Sequence, residues 1–242
     1  MPQMNINPNL YTPIAIVIAG IIVAGAIVGV MHSGSTPTPT TTTTTGQPST
    51  GAAINADQVN AKGNPTVGNA NAPLTIAYWF DYQCPFCREN EQNTMPQIIS
   101  NYVDTGKVKI VYKDFSFLGA DSDTLGHWGR AVWAVAPTQF EAWHKAVYDN
   151  QGEENTGWAT AAEIQKITAS VLTAAQTAQV AQLAVADATQ YQNAMDADKQ
   201  EGEQDGIQGT PALLIGNQLV DGYESYAQVK TVIDAQLAPV SK

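Results

Sequence analysis

Residues 74–87 run Leu74-Thr75-Ile76-Ala77-Tyr78-Trp79-Phe80-Asp81-Tyr82-Gln83-Cys84-Pro85-Phe86-Cys87. The first half, Leu74 to Phe80, is an apolar, aromatic run of strand length. The last four residues carry the only two cysteines of a 242-residue chain. Beyond them Met95, Ile98, Ile99, Tyr102 and Val103 recur at three- and four-residue steps, which is helical spacing. The cysteine pair therefore stands where a strand ends and a helix begins.

That position sets the thiol chemistry. With Cys84 as N-cap, Pro85 falls at the first helical position, where a missing N–H costs nothing. The Cys84 sulfur then faces unpaired backbone N–H groups and the positive end of the helix dipole. A thiolate is stabilised there, so its pKa is expected below the free value of about 8.5. Cys87, three residues on, shares the helical face and lies within bridging reach. One thiol can attack and the other resolve, which is thiol–disulfide exchange. Two other uses of the pair compete. A zinc site usually takes four protein ligands, and His32, His127 and His144 offer no two at ligand spacing, so no metal is expected. A purely structural bridge would close a very small loop and constrain the unfolded chain little.

The formal charge of −11 leaves no basic stripe for phosphates, so a nucleic-acid partner is excluded. Ile14 to Met31 is 18 residues without a charge, roughly 27 Å of helix, about one bilayer core. This core exceeds that of a signal peptide, no Lys or Arg precedes Lys62, and no A-x-A cleavage site follows. An uncleaved transmembrane anchor over 13–31 is expected, after an N-terminal tail of residues 1–12. With no flanking basic residues the positive-inside rule has nothing to act on. The C-terminal domain is placed outside the cytoplasm because a tethered Cys pair belongs where disulfides form. Residues 32–54 are rich in Thr, Pro, Ser and Gly, with Thr40 to Thr45 unbroken, and are expected to form a disordered linker.

Residues 55–242 then read as one α/β domain. Asn55 to Asn60 gives a weak turn or helix signal, and Gly68 to Pro73 reads as a loop before the strand Leu74 to Tyr82. Pro96 is expected to kink the active-site helix or mark its restart, and Asp104-Thr105-Gly106 to stop it. Val108 to Tyr112 is a second strand, and strand–helix–strand implies a parallel pair. Asp123 to Asp205 reads as largely helical. Its stripes, Trp128/Val132/Val135, Phe140/Trp143/Val147 and Tyr191/Ala194/Met195, have the spacing of core faces. Thr160 and Glu163 suggest a capping box. His127 and His144 fall among these stripes and are expected to be packed or surface residues rather than catalytic ones. Gly216-Asn217 between Ala212–Ile215 and Gln218–Asp221 signals a hairpin, and an amphipathic helix, Ser225 to Leu237, closes the domain. Just before the hairpin stands Gly209-Thr210-Pro211, read as a strand-opening proline or a cis proline.

Phe80 to Cys87, Val111-Tyr112-Lys113-Asp114-Phe115 and Gly209-Thr210-Pro211, in this order and spacing, resemble the thioredoxin-fold DsbA family, in particular its membrane-tethered, BdbD-like members. The resemblance spans about residues 64–237. It implies an α/β thioredoxin-like fold with a helical insertion at about 116–205, and the activity of a protein-disulfide oxidoreductase. By the same resemblance Cys84 is the exposed nucleophile and Cys87 the buried resolving thiol, with Pro85 and Phe86 supporting them. Pro211 is expected to be cis against the pair, and Thr210 to offer backbone hydrogen bonds to an extended substrate. The redox disulfide Cys84–Cys87 then serves without any further cofactor. Reduced exported proteins are the implied substrates, and a membrane quinone-linked protein the implied reoxidant. Two positions depart from relatives. Phe86 stands where some carry His, and Tyr78 stands where an acid often sits six residues before the first Cys. Both lower the expected oxidising power. A reductase or isomerase of the same fold, or a non-catalytic tethered binding module, are the other functions considered.

Overall fold

The computed structural model describes residues 54–238. The expected tail, anchor and nearly all of the linker lie outside the described residues. Among the described residues, no helix is long and apolar enough to cross a membrane.

Strand β2, Leu74–Phe80, is buried along its whole length, as a run without polar alternation requires. Its side chains alternate between two cores. Ile76, Tyr78 and Phe80 enter a large one, Ala77 and Trp79 a smaller one. β2 pairs in parallel with β3, Val108–Asp114, as the strand–helix–strand reading requires. On its other side it pairs antiparallel with β4, Ala212–Ile215, which turns through Gly216-Asn217 into β5, Gln218–Asp221. A short strand β1, Thr66–Gly68, pairs antiparallel with β3 and gives the sheet order β1-β3-β2-β4-β5. This strand is a correction, since Gly68 was read as the start of a loop. Three residues are too few for a periodic pattern, and the strand exists by pairing with β3.

Helix α1, Pro85–Asn93, ends at Thr94, whose hydroxyl donates to Glu224 O at 2.9 Å. α2, Met95–Ile98, restarts the path with Pro96 in its first turn and passes into a π-helical turn, Ile99–Val103. Pro96 thus marks a restart. Five helices follow between β3 and β4: α3 (Ala120–Val135), α4 (Phe140–Asp149), α5 (Ala161–Val171), α6 (Ala174–Ala186) and α7 (Ala188–Gln204). Their stripes lie in the core, with Val135 and Ala194 only partly buried. The expected capping box at α5 is only half made: Thr160 Oγ1 accepts from the Glu163 N–H at 3.3 Å. The reciprocal pair occurs one helix later, between Thr173 and Gln176. α8, Tyr226–Leu237, buries Val229 and Ile233 on the large core.

The smaller core is closed by the segment before β1. Ile54, assigned to the linker by composition, packs partly buried against it, and the Ala56 N–H donates to Gly216 O at 2.7 Å. Beside it lies a buried ion network. Arg130 reaches Asp114 at 2.7 Å and Asp198 at 2.5 Å, and Lys113 pairs with Asp198 and with Glu201 at 2.7 Å. The network ties α3 and α7 to the end of β3. Gly202 in α7 is required by close approach, because a Cβ there would sit 2.7 Å from Trp79 Nε1.

Candidate active site

Cys84 is the N-cap of α1, with extended backbone angles (φ −68°, ψ 119°) and Pro85 in the first turn. Its Sγ accepts from the Cys87 N–H at 3.4 Å, as an N-cap side chain satisfies a helix's unpaired donors. The Thr210–Pro211 peptide is cis, and the Thr210 carbonyl lies 3.3 Å from Cys84 Sγ. Residues 126 positions apart in the chain thus meet at one sulfur. Both cysteines are free thiols.

The two thiols differ sharply. The hydrogen bond from the Cys87 thiol, against the opposing pull of burial, brings Cys84 down to about 6. The Thr210 side chain and the N–H groups of Cys87 and Phe86 act in the same direction. Burial pushes Cys87 well above the ordinary thiol range, and its bond to Cys84 adds to the rise. One expectation is corrected: Cys84 is not exposed. Only 4 % of its surface is accessible, against none of Cys87, because the Thr210–Pro211 segment lies against it. The hydrogen bonds it accepts nevertheless outweigh the rise that burial imposes on its pKa. Phe86, by contrast, is 61 % exposed and stands free beside the pair.

The approach to Cys84 is held by groups that the local sequence does not announce. Asp81 accepts four hydrogen bonds: from the Gln83 N–H and the Ser122 hydroxyl on Oδ1, and from the Phe117 and Leu118 N–H groups on Oδ2. Gln151 Nε2 donates to Tyr82 O at 2.8 Å and Cys84 O at 3.1 Å, and the Tyr148 hydroxyl donates to Asp81 O at 3.0 Å. The helical insertion therefore grips residues 81–84 from one side, while the Thr210–Pro211 segment closes the other. Gln151 also lines, with Gln83, Pro85, Arg88 and Glu153, a 360 Å³ cleft beside the N-terminus of α1. His127 hydrogen-bonds Gln192 at 2.9 Å. His144 is fully buried, ringed by Tyr78, Phe80, Tyr82, Tyr112 and Phe140.

A low-pKa thiol at a helix N-terminus, a buried second thiol three residues on and a proline-bearing segment against them, on this sheet, define a thioredoxin-fold thiol–disulfide oxidoreductase. The family model described as "Thioredoxin" matches residues 60–235. Disulfide bond formation protein D of Bacillus subtilis (strain 168) is 23 % identical over 180 residues, covering 74 % of this chain and 80 % of that protein. The crystal structure of oxidised BdbD from Bacillus subtilis superposes with a TM-score of 0.67 at 23 % identity, over 76 % of this chain and 98 % of that one. The crystal structure of Chlamydia trachomatis DsbA superposes with a TM-score of 0.64 at 20 % identity, over 73 % and 93 %. The chain belongs to the thioredoxin family, as a BdbD-like member of its DsbA group.

Proposed function

We propose that this protein donates disulfides to exported proteins through Cys84 and Cys87. The observation that carries the reading is the opposite displacement of the two thiols. A low-pKa Cys84 is a good leaving group from a mixed disulfide, and its stable thiolate favours the reduced enzyme, so the disulfide form tends to oxidise. A substrate thiolate attacks Cys84 Sγ, the Cys84–Cys87 bond breaks, and Cys87 carries away the electron pair. A second substrate thiolate attacks the substrate sulfur of the mixed disulfide, and Cys84 departs as thiolate. The substrate leaves with a disulfide and the enzyme holds the two electrons. Thr210 and Pro211 are assigned to binding the extended substrate segment beside Cys84, Pro85 and Phe86 to supporting the pair.

No cofactor beyond the disulfide is needed. A membrane quinone-linked protein is assigned the reoxidation, and the apolar stretch 13–31 with the linker 32–54 is assigned the tethering of an extracytoplasmic domain. The test mixes the disulfide form with a reduced, unfolded secreted protein. Net oxidation of substrate thiols, lost in Cys84→Ala, is expected. Net reduction or reshuffling of disulfides would assign a reductase or isomerase, and no exchange at all a binding module. Alkaline extraction of membranes should leave the full chain in the pellet and release a chain lacking residues 1–53; release of both would remove the anchor.

A further inference from the structure

A substrate bonded to Cys84 Sγ carries its chain away from that sulfur in two directions. On one side stands the Thr210–Pro211 segment, with the Thr210 carbonyl 3.3 Å from Sγ. On the other opens the 360 Å³ cleft. Gln83 and Pro85, the chain neighbours of Cys84, both line it. One wall is the first turns of α1 and carries Arg88. The facing wall is the stretch after α4 and carries Gln151, Glu153 and Glu154.

The two walls are tied together at their base. Gln151 Nε2 donates to Tyr82 O and Cys84 O, and the Asn155 N–H donates to Gln83 Oε1 at 2.8 Å. Gln83 Nε2 in turn donates to Leu118 O at 2.6 Å and Ser122 Oγ at 3.1 Å. The cleft is thus formed before substrate arrives, and filling it costs little ordering of the protein. Its charges are in place but unpaired. Arg88 is half-buried, and Glu153 and Glu154 are exposed. Among the described residues no ion pair includes any of the three. The only side-chain hydrogen bond any of them makes there is from Asn155 Nδ2 to Glu154 Oε1 at 3.0 Å. Two carboxylates against one guanidinium leave the lining net acidic. Opposite charges that face one cleft without closing on each other leave room for a chain between them.

We propose that this cleft is a substrate subsite selecting a basic side chain close to the substrate cysteine, with Glu153 and Glu154 holding the Lys or Arg and Arg88 donating to a main-chain carbonyl of the same extended segment. The inference rests on the oxidoreductase reading above and adds the class of substrate that the site prefers. The division of roles follows from exposure. A half-buried guanidinium offers a fixed fork of donors that suits a carbonyl oxygen. Carboxylates at the open rim meet the charged end of a long side chain that arrives from solvent. An acidic side chain in the same place meets two like charges. The cleft touches neither sulfur, so it acts on binding and leaves the exchange step as described. Its preference therefore appears in the substrate concentration needed for half the limiting rate, and not in that rate.

The test uses peptides with one cysteine, carrying Lys, Ala or Glu in turn at each of the three positions on either side of it. Each is mixed over a range of concentrations with the disulfide form of the full chain, and reduction of Cys84–Cys87 is followed by alkylation and mass measurement. At one or more positions the half-saturating concentration is expected to be at least about threefold lower for Lys than for Glu, with equal limiting rates. The difference should shrink in about 1 M salt, because the carboxylates are exposed. It should vanish in the double variant Glu153→Gln, Glu154→Gln, which keeps side-chain shape at two exposed positions. A lysine preference that survives in the double variant comes from the peptide's own thiol, and would overturn the inference. So would equal values for Lys and Glu, or a preference for Glu. Arg88→Leu is expected to raise the half-saturating concentration for all three peptide types alike, and a change confined to the Glu peptides would likewise overturn the assignment. A wild-type protein that reacts with none of the peptides would instead overturn the oxidoreductase reading.

Discussion

The potential of the Cys84–Cys87 couple is expected to change its pH dependence near the Cys84 titration. Cys84 is drawn from 9.0 to about 6, while Cys87 stays protonated well past the ordinary thiol range. Below about pH 6 reduction takes up two protons, and the potential falls by about 59 mV per pH unit; above it only Cys87 takes one, and the slope halves to about 30 mV. A displacement of about three pKa units is worth ~4 kcal/mol, or ~90 mV for a two-electron couple. That full amount is felt only above the ordinary thiol range. Near pH 7 about one unit of it counts, making the pair about 30 mV more oxidising than one with an unshifted thiol. The sign for stability is the same. A depressed folded-state pKa stabilises the folded dithiol form fully above the unfolded thiol range, and the gain is lost as pH falls to about 6. The disulfide form has no thiolate to lose, so acidification should destabilise the dithiol form relative to the disulfide form. Equilibration in glutathione redox buffers over roughly pH 5 to 9, with alkylation and mass measurement, reads the potential directly. A single slope of about 59 mV throughout would show that no thiolate is held by the N-terminus of α1.

Cys87→Ala removes the strongest of the bonds favouring the Cys84 thiolate, so half-maximal alkylation of Cys84 should move up from about pH 6, and mixed disulfides with substrate should accumulate. Arg130→Met leaves Asp114 and Asp198 buried without their shared cation and should cost about 3–5 kcal/mol in urea unfolding, with the Cys84 titration unmoved. Gly202→Ala drives a Cβ against the buried Trp79 ring, which its bond to Asp198 O prevents from swinging aside, and should cost about 1–3 kcal/mol in the same assay.

The amino-acid sequence determined what depends on near neighbours. Burial on both faces required a run that is apolar but for Thr75, so Leu74 to Phe80 was legible as a central strand. Capping chemistry is local, so Cys84 was legible as the first residue of a helix, and Gly216-Asn217 as a hairpin. Tertiary structure decided how far apart the two sulfurs are driven. Their pKa values move apart because one accepts hydrogen bonds from the Cys87 thiol and backbone N–H groups while the other is enclosed by the core, and the Thr210 carbonyl that meets Cys84 Sγ lies 126 residues away. The grip on residues 81–84 by Ser122, Tyr148 and Gln151 has the same origin. Spacing along a helix tells which face a side chain takes. It carries no information about which polar atom of a distant helix will be packed against that face, and desolvation, which sets the chemistry here, arises only from that packing.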